Sequence, residues 1–194
     1  MHNAYLYGPA AKPDLRESDF LRNFARFYNN RISVMKKLEL KTVVCSCSYD
    51  ELSDELKALV DRAKKATACS YSPYSHFAVG AAVLLDNGEV LTGANQENAA
   101  YPSGLCAERT VMFYANAQYP DTPVKALAVA CFTGGHFTRR PGSPCGNCRQ
   151  VLLETEHRFG RDMQILLYGE DEIYIFASAR SLLPHCFVDD DLKG

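Results

Sequence analysis

The chain has 194 residues, 47% of them hydrophobic, and this length and composition favour a single packed domain over a disordered chain. Its formal net charge is −2 and its pI is near 6.2, so no strong overall field attracts polyanions. This balance argues mildly against nucleic acid or an anionic membrane surface as the main partner.

Residues 1–34 differ in character from the rest of the chain. They carry charges throughout and contain no apolar core of a signal peptide, and no apolar run reaches the ~18 residues that span a bilayer. Residues 18–28 place an apolar stripe on one helical face, which indicates either a docking or membrane-surface helix or dispensable upstream sequence. We favour the second interpretation and expect a domain over residues 35–194 with an N-terminal extension over residues 1–34.

The first half of this domain shows alternating and helical patterns in turn. Residues 38–44 alternate as a strand does, and Ser53 is placed to cap a helix that ends near Ala68. The buried stripe of that helix is expected to hold Leu56, Leu59, Val60, Ala63 and Ala66. Residues 77–85 and 89–95 then form a predicted hairpin around Asp86-Asn87-Gly88.

The second half predicts a helix over about 106–117, a strand over 125–132, and a helix that ends near Phe159 with Pro144 in its first turn. The inward face of the first of these helices is expected to hold Ala107, Val111, Tyr114 and Ala115. Strands follow near 165–168 and 173–177.

This order of elements indicates an α/β protein with a mixed, five-stranded sheet. Only Gly169-Glu-Asp-Glu172 joins the last two strands. A parallel crossover needs a dozen or more residues, so these two strands should pair antiparallel.

Eight cysteines in a chain without a recognisable signal peptide predict a reducing compartment, the cytoplasm, where cysteines bind metals or act in catalysis more often than they form disulfides. Cys131, inside a predicted buried strand, is most simply a small apolar core residue. Cys145 and Cys148 lie three apart at the predicted start of a helix, and Cys106 lies at the start of another. Three sulfurs leave one position of a tetrahedral Zn²⁺ open, which is typical of a catalytic site.

Glu108 follows the first cysteine by two positions and is placed to move the proton of a metal-bound water without binding the metal. Arg149 and Arg109 neighbour the cysteines, and either could donate hydrogen bonds to ligand sulfur. The alternatives are a structural zinc or unrelated buried thiols for the cysteines, and surface positions for the two arginines.

Four motifs, in this order, resemble those of the small, homotetrameric, zinc-dependent cytidine deaminases: Tyr74-Ser-His-Phe-Ala-Val-Gly80, Asn95-Gln-Glu-Asn-Ala-Ala-Tyr-Pro102, Cys106-Ala-Glu-Arg109 and Pro144-Cys-Gly-Asn-Cys-Arg-Gln150. The resemblance covers residues 68–191 and, more weakly, begins near residue 35. It implies a three-layer α/β/α cytidine-deaminase-like fold and one zinc ion per subunit.

The resemblance also implies roles for single residues. Phe77 would pack on the pyrimidine, Asn95 and Glu97 would bind the ribose hydroxyls, and the Ala107 amide would meet the base carbonyl. Glu108 would protonate the ring N3 and later the leaving amine. Phe187 matches a C-terminal phenylalanine that reaches into a neighbouring active site of the tetramer. By residue type alone, Phe77 reads as core and Asn95 and Glu97 as turn residues.

The reaction expected from this resemblance is the hydrolytic deamination of cytidine or deoxycytidine to uridine or deoxyuridine and ammonia, as in pyrimidine salvage. Rival interpretations are a deaminase of nucleic acid, a zinc-stabilised interaction module, and a deaminase of a modified nucleoside. The loop of residues 133–143 is longer and more basic than usual, and either shapes the mouth of the pocket, forms an interface, or is simply solvated, which we favour.

Overall fold

The computed structural model describes residues 38–193. The amphipathic stretch of residues 18–28 and the expected boundary after residue 34 lie outside the described residues. Among the helices of residues 38–193, none has both the length and the hydrophobicity needed to cross a membrane.

The described residues form three α-helices and one sheet of seven strands. The helices are α1 (Asp54–Ala66), α2 (Ala107–Gln118) and α3 (Gly146–Phe159). The strands are β1 (Cys45–Cys47), β2 (Ala78–Leu85), β3 (Val90–Ala94), β4 (Val124–Thr133), β5 (His136–Phe137), β6 (Gln164–Tyr168) and β7 (Ile173–Phe176).

The sheet is mixed and has the strand order β1-β7-β6-β4-β2-β3, with β5 paired to β4. Strands β4 and β6 are parallel because α3 carries the chain back between them. The pairs β2–β3 and β6–β7 are antiparallel hairpins, and the predicted antiparallel ending is therefore confirmed. The predicted strand number was too low, because β1 and β5 have only three and two residues and leave little sequence pattern.

Helices cover both faces of the sheet. Along β2, Ala81, Val83 and Leu85 face a core shared with α2 and α3, whereas Ala82 and Leu84 face a core shared with α1. This alternation follows from the two-residue period of a strand. The three-layer α/β/α arrangement is thus confirmed.

Helix α1 agrees closely with its prediction. The Ser53 side chain caps it by accepting a hydrogen bond from the Leu56 amide (3.4 Å). Its expected stripe is buried, apart from the half-buried Leu56.

Three predictions about single elements were wrong. Residues 38–44 form no strand and are exposed, and the strand lies at β1, where Cys45 pairs with Ile175 of β7. Strand β7 has only four residues, and β1 pairs with it over three. Tyr114 is 50% exposed, because α2 is rotated so that Glu108 and Met112 face inward instead. Pro144 precedes α3, whose N-cap is Cys145.

The loop of residues 133–143 is not simply solvated, contrary to the interpretation that we favoured. Its β5 pairs with the end of β4, and the Phe137 ring packs edge-on against Phe132 and Tyr168, at 5.2 and 5.6 Å between ring centroids. The Lys64 ammonium lies 5.0 Å from the Phe137 ring centroid. The loop is therefore packed onto the domain.

Candidate active site

Two helices begin at the same place in the fold, and both begin with a cysteine. Cys106 is the N-cap of α2 and Cys145 the N-cap of α3, and Cys148 follows in the first turn of α3. The sulfur of Cys145 lies 3.7 Å from that of Cys106 and 3.4 Å from that of Cys148. All three sulfurs lie within 4.8 Å of one another.

These three residues fit one zinc ion. Zn–S bonds of about 2.3 Å in tetrahedral geometry place sulfur atoms about 3.8 Å apart, close to the separations seen. Among the described residues, no further histidine, cysteine, aspartate or glutamate joins this cluster. The cluster therefore offers three ligands and leaves one position for water or substrate.

The positive ends of two helix dipoles favour thiolates here. Hydrogen bonds, chiefly from Cys148 and then from Cys145 and Arg109, lower the pKa of Cys106 to about 5, against the effect of burial. The same hydrogen bond with Cys106, together with burial, raises the pKa of Cys148. These interactions favour a thiolate at Cys106 within the cluster.

Glu108 is the buried carboxyl beside the sulfurs. Its side chain is 4% exposed, lines the cavity described below, and lies within hydrogen-bonding reach of Cys148. Burial raises its pKa, and the charge on Cys106 adds to this rise. Such a carboxyl is suited to holding and passing on a proton.

The two arginines have different surroundings. Arg109 lines the cavity together with Cys106, donates to the Gly104 carbonyl at 3.5 Å, and contributes to the lowered pKa of Cys106. Arg149 donates to the carbonyls of Pro144 (2.8 Å) and Leu182 (2.9 Å). Of the two, Arg109 is therefore the one placed beside ligand sulfur, and Arg149 fixes the backbone that leads into Cys145.

A cavity of about 740 Å³ opens beside the metal cluster. It brings together most of the residues singled out from the sequence, namely Phe77, Asn95, Glu97, Cys106, Glu108, Arg109 and Cys145. The cavity is large enough for a molecule of nucleoside size.

Asn95 uses nearly all of its hydrogen-bonding capacity to hold the wall of the cavity together. Its Oδ1 accepts from the Ser70 hydroxyl (2.6 Å) and the Val79 amide (2.8 Å), and its Nδ2 donates to the Phe77 carbonyl (2.9 Å). An amide nitrogen carries two hydrogens, so one donor remains for a ligand.

Glu97 is held in the same wall. Its Oε2 accepts from the amides of Tyr74 (2.9 Å) and Ser75 (3.3 Å). A hydrogen bond from the Ser75 side chain and the one from the Tyr74 amide lower the pKa of Glu97, which keeps the carboxylate ionised. The adjacent His76 adopts a left-handed φ of 54°, a strained conformation that turns the chain between Ser75 and Phe77.

Four of the residues singled out from the sequence do not line the cavity. Cys148 is fully buried in the first turn of α3. Ala107 is buried at the first position of α2, where its N–H has no acceptor within the helix. Arg149 instead bonds the carbonyls of Pro144 and Leu182. Phe187 is 57% exposed, and its carbonyl accepts from the Gln150 side chain (2.8 Å).

The cavity also contains residues that sequence reasoning missed. Cys131, interpreted as core, is 4% exposed yet lines the cavity at the end of β4. Gly142 and Ser143 line it from the loop of residues 133–143, and Asn147 from between the two cysteines of α3. For Gly142, Ser143 and Asn147, the signal available in the sequence was their position just before or between the metal ligands.

Comparison with known proteins agrees with this geometry. Residues 53–159 match the family model described as the cytidine and deoxycytidylate deaminase zinc-binding region. A cytidine deaminase of Sporosarcina psychrophila is 45% identical over 139 residues, covering 72% of this chain and 96% of that protein.

Solved structures are similar as well. The cytidine deaminase of Burkholderia pseudomallei is 39% identical with a TM-score of 0.58, covering 67% of this chain and 97% of that one. The cytidine deaminase of Mycobacterium tuberculosis is 35% identical with a TM-score of 0.55, covering 70% and 99%. With its zinc-binding cysteines, buried glutamate and mixed sheet, this chain belongs to the cytidine and deoxycytidylate deaminase family.

Proposed function

We propose that this protein deaminates free cytidine and deoxycytidine by hydrolysis, giving uridine or deoxyuridine and ammonia, as pyrimidine salvage requires. The observation that carries the proposal is a shared cavity. It is lined by Cys106 and Cys145 of the three-sulfur cluster, by the buried carboxyl of Glu108, and by Asn95 and Glu97.

Each part of the reaction has a residue placed for it. Cys106, Cys145 and Cys148 would hold a zinc ion, which would lower the pKa of a water molecule toward ~7 and so supply a nucleophile at neutral pH. Glu108 takes a proton from the attacking water and delivers it to N3 of the pyrimidine, and the hydroxide that remains adds at C4. Glu108 then takes the second proton from the new C4 hydroxyl and passes it to the amino group, so that the C4–N bond breaks, ammonia leaves and the C4 carbonyl forms.

The groups that orient the substrate are assigned to the wall of the cavity that contains Asn95 and Glu97. The free Nδ2 hydrogen of Asn95 donates to a ribose hydroxyl, and the ionised Glu97 accepts from the 3′-hydroxyl. Phe77, whose carbonyl is fixed by Asn95, packs against the base. The amide of Ala107 is assigned to the base carbonyl, and Arg109 offsets part of the negative charge on the sulfurs.

A free nucleoside is a better substrate for this cavity than a nucleic acid. The basic side chains of the loop of residues 133–143 are matched by an acidic turn, since Arg139 pairs with Asp171 at 3.2 Å and Arg140 lies near Glu172. The loop therefore offers no free basic stripe for phosphates. We propose no nucleic acid or membrane partner.

We also propose a homotetramer in which Phe187 completes the cavity of a neighbouring subunit. Phe187 lies outside its own cavity and is exposed, while Gln150 fixes its backbone. Sedimentation would give the subunit number. Phe187→Ala should lower activity although this residue does not line the cavity of its own chain.

The remaining assignments follow from the same chemistry. The deaminase domain is proposed to span residues 35–194 and residues 1–34 to be an extension. All eight cysteines are unpaired thiols, and the metal ligands must stay reduced to bind zinc, which supports a cytoplasmic location.

The decisive experiment is a spectrophotometric assay of the purified protein with cytidine, before and after treatment with a zinc chelator. We expect turnover that is lost on chelation and restored by added zinc. Absence of turnover in the zinc-loaded protein would refute the proposal.

A further inference from the structure

Two residues to which the mechanism gives no role lie against each other in the wall of the cavity. Cys131, near the end of β4, and Gly142, three residues before Cys145, both line it. A Cβ atom built on Gly142 would lie 2.5 Å from Sγ of Cys131. The sulfur therefore fills the space that any larger residue at position 142 would need.

This contact lies at the reacting end of the cavity. Cys131 and Glu108 line the same cavity, and the charge of Glu108 adds to the effect of burial, which raises the pKa of Cys131 to about 12. Gly142 and Ser143 lead directly into Pro144 and the metal ligand Cys145. The proposed ribose ligands Asn95 and Glu97 instead belong to the wall formed with residues 70–79.

Gly142 is held in place from outside the cavity. The amides of Glu170 and Asp171 donate to the carbonyls of Thr138 and Arg139, each at 3.0 Å. The β6–β7 turn approaches so closely that a Cβ on Gly169 would lie 2.6 Å from the Arg139 carbonyl oxygen. This packing fixes the loop of residues 133–143, and with it the distance between Gly142 and Cys131.

We propose that Cys131 and Gly142 form a specificity-determining wall that selects among substituents on the base, above all at C5, and takes no part in the choice between ribose and deoxyribose. The inference rests on the proposed deamination of cytidine. Both N3 and C5 adjoin the reacting C4, and Glu108 is assigned to N3. A group on C5 must therefore fit against the remaining wall near the metal.

The first test is Cys131→Ala, which removes one buried sulfur and adds no atom. We expect kcat/KM for 5-methylcytidine, relative to cytidine, to rise about tenfold, the value of roughly one methyl group in a fitted pocket. The ratio of deoxycytidine to cytidine should stay within about twofold. Cys69→Ala is the matched control, because Cys69 is exposed and does not line the cavity.

The second test should change the activity on 5-methylcytidine, relative to cytidine, in the opposite direction. Gly142→Ala fills the wall and should lower the relative activity on 5-methylcytidine. The double variant Cys131→Ala/Gly142→Ala should return toward the wild-type ratio, since the methyl group then occupies the volume left by the sulfur. If Gly142→Ala does not fold, Cys131→Ala alone still decides the question.

Two results would overturn the inference. One is an unchanged base preference in an active Cys131→Ala enzyme. The other is an equal change in the base and sugar ratios, which would indicate a general distortion. Failure of the wild-type enzyme to deaminate any of the three nucleosides would instead refute the proposed function, so the two failures can be told apart.

Discussion

Single residues in the wall that we propose to bind the ribose also hold the protein together. Asn95 makes three hydrogen bonds to the protein and retains one donor, and Glu97 accepts hydrogen bonds from the Tyr74 and Ser75 amides and from the Ser75 side chain. Side chains held this firmly lose little freedom when a substrate binds. The geometry of the sugar site is therefore set before the substrate arrives.

Glu97→Gln should weaken recognition of the 3′-hydroxyl. We expect kcat/KM for cytidine to fall by about two orders of magnitude, because a neutral amide accepts more weakly than a carboxylate. For 3′-deoxycytidine, which lacks this hydroxyl, the two enzymes should differ much less. An equal loss for both nucleosides would contradict the assigned contact.

Glu108→Gln should abolish proton transfer while leaving the metal in place. General acid–base catalysis contributes roughly 10²–10⁴-fold, and we expect kcat to fall within or beyond this range. Zinc content, measured by atomic absorption, should stay at one ion per chain. Near-normal turnover would show that another group carries the proton.

Residue identity alone could not rank the two arginines. Arg149 directly follows Cys148 and Arg109 lies three positions after Cys106, and either could have bonded ligand sulfur. In the structure, Arg109 lines the cavity together with Cys106. Arg149, in the first turn of α3, instead reaches back to the Pro144 carbonyl. Side-chain direction depends on helix orientation, which local sequence does not specify.

At the scale of elements, α3 does more than supply two metal ligands. Its polar residues also bind the C-terminal segment, with Arg149 on the Leu182 carbonyl and Gln150 on the Phe187 carbonyl. Further along, His157 contacts Asp189. The helix thus connects the metal cluster to the segment that carries Phe187.

Glu156 is a buried residue of α3 that also binds the segment after β7. It is 6% exposed, and its carboxylate accepts from the amides of Met163 and Ala179 and from the Ser178 hydroxyl, each at 2.8 Å. Glu156→Ala should reduce the free energy of unfolding by about 3 kcal/mol, because buried donors lose their acceptor.

Urea denaturation would measure this loss. Glu154→Ala is the matched control, because Glu154 lies two positions before Glu156 on the exposed side of α3. This substitution should change stability little. A comparable effect of both substitutions would contradict the role given to Glu156.

Elements with strong local signals were predictable, and the short ones were not. Asp86-Asn87-Gly88 marks a hairpin and Ser53 a helix start, and both lie where expected. Strand β1 is defined only by its pairing with β7, and β5 only by its pairing with β4. Such pairings depend on tertiary contacts that no local pattern records.

For the whole molecule, the metal joins two helices that are far apart in sequence. Cys106 belongs to the connection between β3 and β4, whereas Cys145 and Cys148 belong to the connection between β4 and β6. A zinc ion held by all three cross-links these connections on one side of the sheet. Its binding free energy should therefore add to the stability of the fold.

Removal of this cross-link should be visible in thermal unfolding. We expect Cys145→Ala to lose the metal and to unfold at a lower temperature than the zinc-loaded wild type, and chelated wild type to behave similarly. Addition of zinc should raise the Tm of wild type but not of the variant. An equal zinc response in both proteins would show that Cys145 is not a ligand.

At this scale the mixed sheet, the three layers and the cysteine cluster were predictable from the sequence, because they are indicated by motifs that occur in a recognisable order. The sequence did not predict the wall formed by Cys131 and Gly142. That wall depends on how closely a loop approaches a strand, which is a property of packing and not of either segment alone.

The interlocking of the loop of residues 133–143 with the turn of residues 169–172 has a consequence for protein engineering. Transplanted alone into a related enzyme, the loop would lose the backbone amides and the carboxylate of Asp171 that hold it, as well as the clearance that Gly169 provides. The two segments should therefore be exchanged together, as one module, in any chimera built from this protein.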